Sequence, residues 1–314
     1  MTSTSLPIGV VPSWEDYSAS ATARQLADRG ERISRIGDPE TPLVSIVTIV
    51  RNGEVTLQRA MQSVLSQDFA SVEYLIVDGG STDASLQIVR RSEDRLAIWI
   101  SEPDAGISDA FNKGIVLARG EIIGLLNSDD WYEPGAISAI VQRMTETGAD
   151  IACGGLQYWE GGRRTYLVGS NPAKLARGMT VGHPTVFVRR DSYRRFGLFR
   201  LDFRLAMDYE WLLRAKSKGA TFVVLDRCLA NMQGGGIGDR RWRDSQREVA
   251  RARALHIAGA DNWLVMWGYV VRRIFVGSVR RVLDFTGLGA VRRVYHRWLS
   301  PIKITSGSHD GDNR

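Results

Sequence analysis

Two adjacent carboxylates, Asp129 and Asp130, stand with Asn127 at the end of a short apolar run, residues 122–126. The run predicts a buried strand, and carboxylates at the end of such a strand are costly to place unless a positive group meets them. Hard cations such as Mg²⁺ and Mn²⁺ take oxygen ligands, and Mg²⁺ is typically shared between one or two carboxylates and substrate phosphates. The spacing favours a site for a divalent cation and a diphosphate, although an acidic turn in which Asp130 caps the next helix has the same residues.

A second pair of carboxylates, Asp208 and Glu210, lies in a segment that predicts a helix. On a helix these two side chains point about 200° apart, so only one of them can face a given cleft. Trp211 and Leu212 are expected to bury the helix against a sheet. A carboxylate held in a cleft can accept a proton from a reacting group, whereas Asp208 at the start of a helix could also serve only as its N-cap.

The elements that must position these carboxylates form an alternating series of predicted strands and helices. The strands are apolar and rich in β-branched residues, and they span residues 42–50, 74–77, 97–100 and 122–126. This alternation predicts a parallel sheet with helices on both faces. Ligands of such sheets bind outside the carboxyl ends of the strands. Asp78, Asp104 and Asp129 all follow predicted strands, so we expect them at that edge.

The segments that carry these residues resemble the inverting family 2 glycosyltransferases, which have the GT-A fold. In chain order the matching segments are TIVRNGE, YLIVDGGSTDAS, DAGISDAFNKGI, ARGEIIGLLNSDDW, HPTVFVRR and AMDYEWLLR. Each motif is weak alone, whereas their order and spacing over residues 41–240 are specific. The resemblance is strongest to bacterial enzymes that build exopolysaccharide or glycolipid sugars. It implies an α/β GT-A domain with a mostly parallel central sheet.

The resemblance also implies roles for individual residues. Asp208 corresponds to the catalytic base, Asp129 to the ligand of Mg²⁺ or Mn²⁺, and His183 to a residue in the acceptor half of the cleft. The residues implied to bind the nucleotide sugar are Val50, Arg51, Asn52, Asp78, Asn112, Lys113, Asn127 and Asp129. Structural alternatives stay open for several of them, because Asp78 could cap a helix, Arg51 and Lys113 could be solvated, and His183 could be a hydrogen-bonded core residue.

The implied reaction moves a hexosyl or deoxyhexosyl group from a nucleotide-diphosphate sugar to a hydroxyl of a lipid-linked or glycolipid acceptor. A metal ion on the diphosphate would neutralise the leaving group, and one displacement would invert the anomeric centre. Two positions depart from the commonest family pattern, since Asn127 stands where Asp is frequent and Met207 where Glu is frequent. These departures keep a second interpretation open, a non-catalytic nucleotide-sugar-binding or scaffold relative.

The composition agrees with a globular protein of this kind. The chain has 314 residues and 44% hydrophobic content, enough for a sizeable core. The first residues lack the basic-then-apolar pattern of a signal peptide, and two cysteines predict no disulfide framework, so a cytoplasmic location is expected. The predicted parts are an N-terminal extension (1–40), the GT-A domain (41–240), a basic amphipathic helical arm (241–300) and a disordered tail (301–314).

The net charge of +6 is concentrated in the predicted arm, where arginines alternate with apolar residues. Its apolar segment, residues 263–271, is too short to span a bilayer. Basic amphipathic helices with tryptophan suit an anionic membrane surface, so the protein is expected at the inner face of the cell membrane. An arm packed on the domain or on a second subunit is the alternative. Nucleic acid is not an expected partner, because no nucleic-acid-binding motif is present.

A glycine-rich segment, residues 233–238, follows the last segment of the predicted domain. It lacks the Gly-Lys-Ser or Gly-Lys-Thr ending of a phosphate-binding loop. Two interpretations remain, a mobile lid that closes over the donor and a flexible linker.

Overall fold

The computed structural model describes residues 9–18 and 44–257, which contain one mixed β-sheet with helices on both faces. The strands are β1 (Val44–Val50), β2 (Val72–Asp78), β3 (Ile98–Ser101), β4 (Ile122–Asn127), β5 (Trp131–Tyr132), β6 (Ile151–Glu160), β7 (Arg163–Val168), β8 (Phe187–Arg189) and β9 (Phe222–Gln233). The helices are α1 (Trp14–Ser18), α2 (Leu57–Leu65), α3 (Ser85–Arg90), α4 (Ile107–Leu117), α5 (Ala136–Thr147), α6 (Arg190–Phe196), α7 (Met207–Ser217), α8 (Ile237–Arg240) and α9 (Trp242–His256). Short 3₁₀ turns span Glu93–Arg95, Pro172–Arg177 and His183–Thr185.

The sheet has the strand order β3, β2, β1, β4, β8, β6, β9, β5, with β7 beside β6. Strand β1 pairs in parallel with both β2 and β4, and β2 pairs in parallel with β3. The predicted series of parallel strands is therefore confirmed for the first half of the sheet. Strand β8 runs antiparallel to β4 and β6, whereas β6 and β9 are again parallel. The last pairing, β5 with β9, is antiparallel and lies just after the Asp129–Asp130 motif.

Strand β1 is buried along its whole length, as its β-branched sequence predicts. Its side chains alternate between two cores, because successive residues of a strand point to opposite faces. Val47 and Ile49 belong to the core that includes helices α4 and α7, and Ile46 and Val50 belong to the core that includes helices α2 and α5. These two cores fix the carboxyl end of β1 between the helix layers.

Helix α4 lies close against β1, and a glycine makes this approach possible. A Cβ added at Gly114 would overlap Val47 Cγ1 and would lie 3.2 Å from Val47 Cγ2. The approach sets the position of the amino end of α4, which borders the cleft described below.

We expect Gly114→Ala to destabilise the protein by about 1–3 kcal/mol, the usual cost of inserting a methyl group into a filled core. This cost has to exceed the gain of about 1 kcal/mol in helix propensity. Gly238→Ala is the matched control, since a Cβ at Gly238 in α8 meets nothing within 4 Å. Urea unfolding of both variants measures the difference, and equal stability of the two would contradict the close approach of α4 and β1.

Helix α9 packs against α7. Glu210 and Arg214, both on α7, form a buried ion pair at 3.1 Å, and His256 of α9 joins it, with its Nε2 2.8 Å from Glu210 Oε1. Although burial alone raises it, the hydrogen bond to His256 and the charge of Arg214 hold the pKa of Glu210 below its ordinary value. The beginning of the predicted arm (241–300) is thus a helix docked on the sheet domain, and residues 258–314 lie outside the described residues.

The described part of the predicted N-terminal extension also contacts the domain. Helix α1 lies on α4, where the Tyr17 hydroxyl donates a hydrogen bond of 2.7 Å to Asp109. Within residues 9–18 and 44–257, no helix is long and apolar enough to cross a membrane.

Candidate active site

A cleft of about 950 Å³ opens at the carboxyl ends of β1 and β4. This is the edge at which parallel sheets bind their ligands. Its walls come from the loops after β1, β3 and β4, from the loop before α7, and from α8 and α9. Of the residues predicted for the site, the cleft is lined by Val50, Arg51, Asn52, Asn127, Asp129, His183 and Asp208.

The acidic motif at the end of β4 places two carboxylates side by side at the cleft. Burial raises the pKa of Asp129, and burial together with the charge of Asp129 raises the pKa of Asp130 well above its ordinary value. Asn127 Nδ2 donates a hydrogen bond of 3.1 Å to Asp130 Oδ2. The guanidinium of Arg59 stacks 3.5 Å from the ring centroid of Trp131. Its positive charge lowers the pKa of Asp129 and of Asp130, but not enough to cancel the rise in either. Because the raised pKa values show that the ionised forms of these two neighbouring carboxylates are unfavourable, a further cation close to them would stabilise those forms.

The donor atoms of this motif fit a hard divalent cation that is shared with a ligand. Among the described residues no cluster of three or more His, Cys, Asp or Glu forms a full protein cage for a metal. A cation held jointly with a diphosphate needs only one or two carboxylates. Asp129 and the carbonyl oxygen of Asn127 line the cleft and can supply such oxygen ligands. Asp130 is 2% exposed, and it can support them through its hydrogen bond with Asn127.

Asp208 lies in the first turn of α7 and faces the cleft, whereas Glu210 faces the buried contact with α9. The two side chains face different ways because residues two positions apart on a helix point about 200° apart. Burial raises the pKa of Asp208; His183 opposes this rise only when its imidazole is protonated, and the negative charge of Glu248 adds to the rise. A carboxylate with a raised pKa is a stronger proton acceptor once it is ionised.

His183 lies beside Asp208, with 3.8 Å between His183 Nδ1 and Asp208 Oδ2. This contact is an ion pair only if the imidazole is protonated, and burial lowers the pKa of His183. We therefore treat His183 as neutral at neutral pH. Its Nε2 is buried and has no hydrogen-bond partner among the described residues. The 3₁₀ turn His183–Thr185 holds the ring at the cleft.

The loops after β1 and β2 are tied to each other beside the cleft. Asn52 has a left-handed backbone with φ of 54°, which Asn tolerates better than most residues. Its Oδ1 accepts a hydrogen bond of 2.8 Å from Thr82 N, and its own N–H donates to Ser81 Oγ at 2.8 Å. Asn52 therefore shapes the loop that presents Val50 and Arg51 to the cleft.

Asp78 is fully buried and does not line the cleft. Its carboxylate accepts hydrogen bonds from Gly80 N at 3.1 Å, Ser81 N at 3.0 Å and Ser101 Oγ at 2.7 Å. The structure thus gives Asp78 protein partners in the loop after β2, and its predicted contact with the nucleotide stays a prediction.

Asn112 and Lys113 also lie away from the cleft lining. The buried amide of Asn112 bonds the backbone of Phe199 in both directions, at 2.8 and 2.9 Å. Lys113 pairs with Glu102 at 2.9 Å and with Asp109 at 3.3 Å. These contacts hold α4 to its neighbours, and the predicted phosphate contacts of both residues stay predictions.

Several cleft residues were not predicted as site residues. Asp104 follows β3, as its place after a predicted strand indicated, and burial raises its pKa. The others come from segments without a recognisable motif, and they include Tyr158, Arg177, Met179, Arg204, Met232, Trp242, Gln246 and Arg253. The glycine-rich segment contributes Gly236, Ile237 and Gly238 to the same wall, whereas its closure as a lid stays a prediction.

A mixed α/β sheet, an acidic motif at a strand end and a buried carboxylate at the start of a facing helix are the features expected of a glycosyltransferase with the GT-A fold. The comparisons with known proteins give the family. The family model for glycosyl transferase family 2 matches residues 45–209, and the chain belongs to that family.

Relatives with similar sequences carry related descriptions. An uncharacterized glycosyltransferase of Mycobacterium tuberculosis is 31% identical over 213 residues, covering 64% of this chain and 78% of the relative. The uncharacterized glycosyltransferase EpsJ of Bacillus subtilis is 29% identical and covers 60% of each chain. The succinoglycan biosynthesis protein ExoU of Rhizobium meliloti is 25% identical, covering 69% of this chain and 70% of the relative.

Solved structures with the same fold include two nucleotide-sugar complexes. Staphylococcus aureus TarS 1-349 in complex with UDP-GlcNAc aligns with a TM-score of 0.58 at 19% identity, covering 74% of this chain and 72% of that one. The mannosyltransferase PcManGT of Pyrobaculum calidifontis, in complex with GDP-Man and Mn²⁺, aligns with a TM-score of 0.53 at 16% identity, covering 88% and 89%. At these identities the similarity supports the predicted fold.

Proposed function

We propose that this protein is a metal-dependent inverting glycosyltransferase that moves a hexosyl or deoxyhexosyl group from a nucleotide-diphosphate sugar to an acceptor hydroxyl. The observation that carries the proposal is that Asp129 and Asp208 line one cleft, the first in a motif suited to a cation and diphosphate, the second as a buried carboxylate suited to accept a proton. No covalent enzyme nucleophile is needed, and a single displacement inverts the anomeric centre.

At the donor end, the loops after β1 and β4 bind the nucleotide diphosphate. Asp129 and Asn127 would hold Mg²⁺ or Mn²⁺ through oxygen atoms, with Asp130 behind them. When bound, such an ion neutralises the negative charge that develops on the leaving nucleoside diphosphate. Arg51 is exposed at the cleft and can contact the base or the phosphates.

At the acceptor end, the carboxylate of Asp208 accepts the proton of the acceptor hydroxyl as that oxygen attacks the anomeric carbon. Neutral His183 borders this group, so it can orient a hydroxyl through a hydrogen bond without placing a positive charge beside Asp208 that would weaken this carboxylate as a base. Both residues come from parts of the chain that pack against the sheet, so their relative position is set by the core.

The rim of the cleft supports an acceptor with an anionic and an apolar part. Arg177 and Arg204 are exposed there, and Met179 and Ile237 line the same cleft with 37% and 53% of their surface exposed. A lipid-linked sugar diphosphate combines these two properties. We therefore propose a lipid-linked or glycolipid acceptor in the biosynthesis of a cell-surface polysaccharide, which agrees with the succinoglycan role in the name of ExoU.

A panel of UDP-, GDP- and dTDP-sugars with Mn²⁺ tests the proposal. A donor that binds only the folded protein raises its melting temperature, and the donor so identified is then assayed for sugar release and transfer. We expect one nucleotide class to stabilise the protein, with Mn²⁺ strengthening the effect. Metal-dependent binding without any transfer would favour the non-catalytic alternative, and no binding to any nucleotide sugar would contradict both.

The proposed location is the cytoplasmic face of the membrane, and it depends on residues outside the described ranges. If residues from 262 onward form a membrane-surface arm, the protein should bind vesicles that contain anionic lipid and leave them as salt rises, because each Arg contributes about 1 kcal/mol. Replacing four arginines with Ser should reduce binding, whereas Lys at the same positions should preserve it; the four are Arg272, Arg273, Arg280 and Arg281.

Co-sedimentation with anionic and neutral vesicles at two salt concentrations measures this binding. Trp263, Trp267 and Phe275 should leave a fraction of binding that salt does not remove. Equal binding to both kinds of vesicle would contradict the electrostatic part of the proposal and would favour an arm that packs on a second subunit.

A further inference from the structure

The loop that leads into α7 is held by a carboxylate from another helix. Glu248 of α9 accepts hydrogen bonds from three consecutive backbone N–H groups, those of Arg204 at 3.1 Å and of Leu205 and Ala206 at 2.8 Å each. Ala206 is the N-cap residue of α7, and no side-chain cap bond of its own closes this end of the helix. Hydrogen bonds to an ionised acceptor are stronger than neutral ones, so Glu248 fixes the start of α7.

The start of α7 is also where the proposed base lies, since Asp208 is the second residue of that helix. Helix α9 itself is anchored by contacts with three other segments of the domain. Arg251 Nη2 lies 3.2 Å from Asp202 Oδ2, Arg253 donates to the carbonyl of Ala176, and His256 contacts Glu210. Glu248 therefore ties the backbone just before Asp208 to α9, a helix that is itself held in place by these contacts.

We infer that Glu248 is a positioning residue for sugar transfer, which holds the Asp208 carboxylate in its reactive place through the backbone of residues 204–206. The inference rests on the proposed function, because it takes Asp208 as the base. Glu248 lies on α9, outside residues 45–209 that the family model matches.

The negative charge of Glu248 also acts on the pKa of Asp208, and this effect can distinguish a positioning role from a purely structural one. It adds to the rise in the pKa of Asp208 that burial causes. Besides Glu248, His183 lies beside Asp208, and the charged residues that line the same cleft within the described part of the chain are Arg51, Asp104, Asp129, Asp130, Arg177, Arg204 and Arg253. Removal of the Glu248 charge should therefore move the acid limb of the kcat profile to lower pH.

The test compares Glu248→Gln and Glu248→Ala with the control Asp244→Asn. Asp244 lies one turn earlier on α9, pairs with Arg241 and Arg247 at the surface, and loses the same charge. Because a displacement of about 1 Å can cost roughly 10²-fold in rate, we expect Glu248→Ala to lower kcat by about 10- to 100-fold with little change in the donor KM. Glu248→Gln keeps one accepting oxygen, so it should lose less activity and should shift the acid limb.

Asp208→Asn is measured beside them, so that the two proposals can fail separately. If Asp208→Asn retains transfer, Asp208 is not the base, and the proposed role of Glu248 is then wrong as well. If Asp208→Asn loses transfer while Glu248→Gln keeps the wild-type kcat and acid limb, only the positioning role is wrong. A loss in Asp244→Asn equal to that in Glu248→Gln would also overturn it. Should Glu248→Ala fail to fold, Glu248→Gln alone decides between these outcomes.

Discussion

Replacing Asp208 with Asn is expected to remove sugar transfer while leaving donor binding nearly intact. Asn has the shape of Asp but cannot accept the proton of the acceptor hydroxyl, so the loss should fall on the chemical step, by about 10²- to 10⁴-fold in kcat. Calorimetric titration with the nucleoside diphosphate measures donor binding, and single-turnover transfer measures the chemical step.

Asp191→Asn is a suitable control for the loss of one carboxylate. Asp191 lies on α6, and its side chain is 78% exposed in a surface pair with Arg194. The control should keep wild-type turnover. A folded Asp208→Asn protein that transfers sugar at a near wild-type rate would rule out Asp208 as the base.

The raised pKa of Asp208 gives the same prediction a pH signature. Only the carboxylate accepts the proton, so kcat should fall at low pH through an apparent pKa above the ordinary value of an aspartate. Because its pKa is raised, folded Asp208 holds this proton more tightly than the unfolded chain does. The stability of the protein should therefore fall as pH rises from the ordinary pKa of an aspartate to the raised pKa of Asp208. Asp208→Asn should then melt at the same temperature as wild type or higher at neutral pH, a trade of stability for activity.

The sequence predicted the elements whose patterns are local. The apolar runs before Asp78 and Asn127 are buried strands, as the sequence indicated. The pairing of β8 with β4 and of β6 with β9 was not predicted, because it joins residues far apart in the chain, and short strands such as β8 carry little pattern of their own.

In the site, too, positions that follow from local sequence patterns could be predicted, whereas contacts between residues far apart in the chain could not. Asp129 could be placed at the cleft because the end of its strand is visible in the sequence, whereas the choice of Asp208 over Glu210 came from the family resemblance. The hydrogen-bond partners of Asn112 were not visible, since they are backbone groups of Phe199, distant in sequence. Helix α9 was read as part of a basic arm because its sequence is rich in arginine, and only its contacts reveal that Glu248 and His256 face α7.

Replacing Asp129 with Ala is expected to weaken metal-dependent nucleotide binding more than replacing Asp130 with Ala. Both carboxylates line the cleft, but Asp129 is the more exposed of the two and can offer its oxygens to a cation, whereas Asp130 is 2% exposed and contacts Asn127. Loss of a group that only supports a metal ligand costs about 10- to 100-fold in metal affinity, so Asp130→Ala should fall in that range and Asp129→Ala beyond it.

Stability separates this effect from simple unfolding. Asp130→Ala leaves the half-buried Asn127 amide without its carboxylate partner and empties a side-chain position that is only 2% exposed, so we expect it to lower the melting temperature more than Asp129→Ala does. The two variants should thus rank in opposite orders, Asp129→Ala worse for binding and Asp130→Ala worse for stability. Titration of the nucleoside diphosphate with and without Mn²⁺, beside thermal unfolding of the same samples, measures both orders. Equal or reversed binding losses would mean that Asp130 holds the cation and that the motif is read one residue out of register.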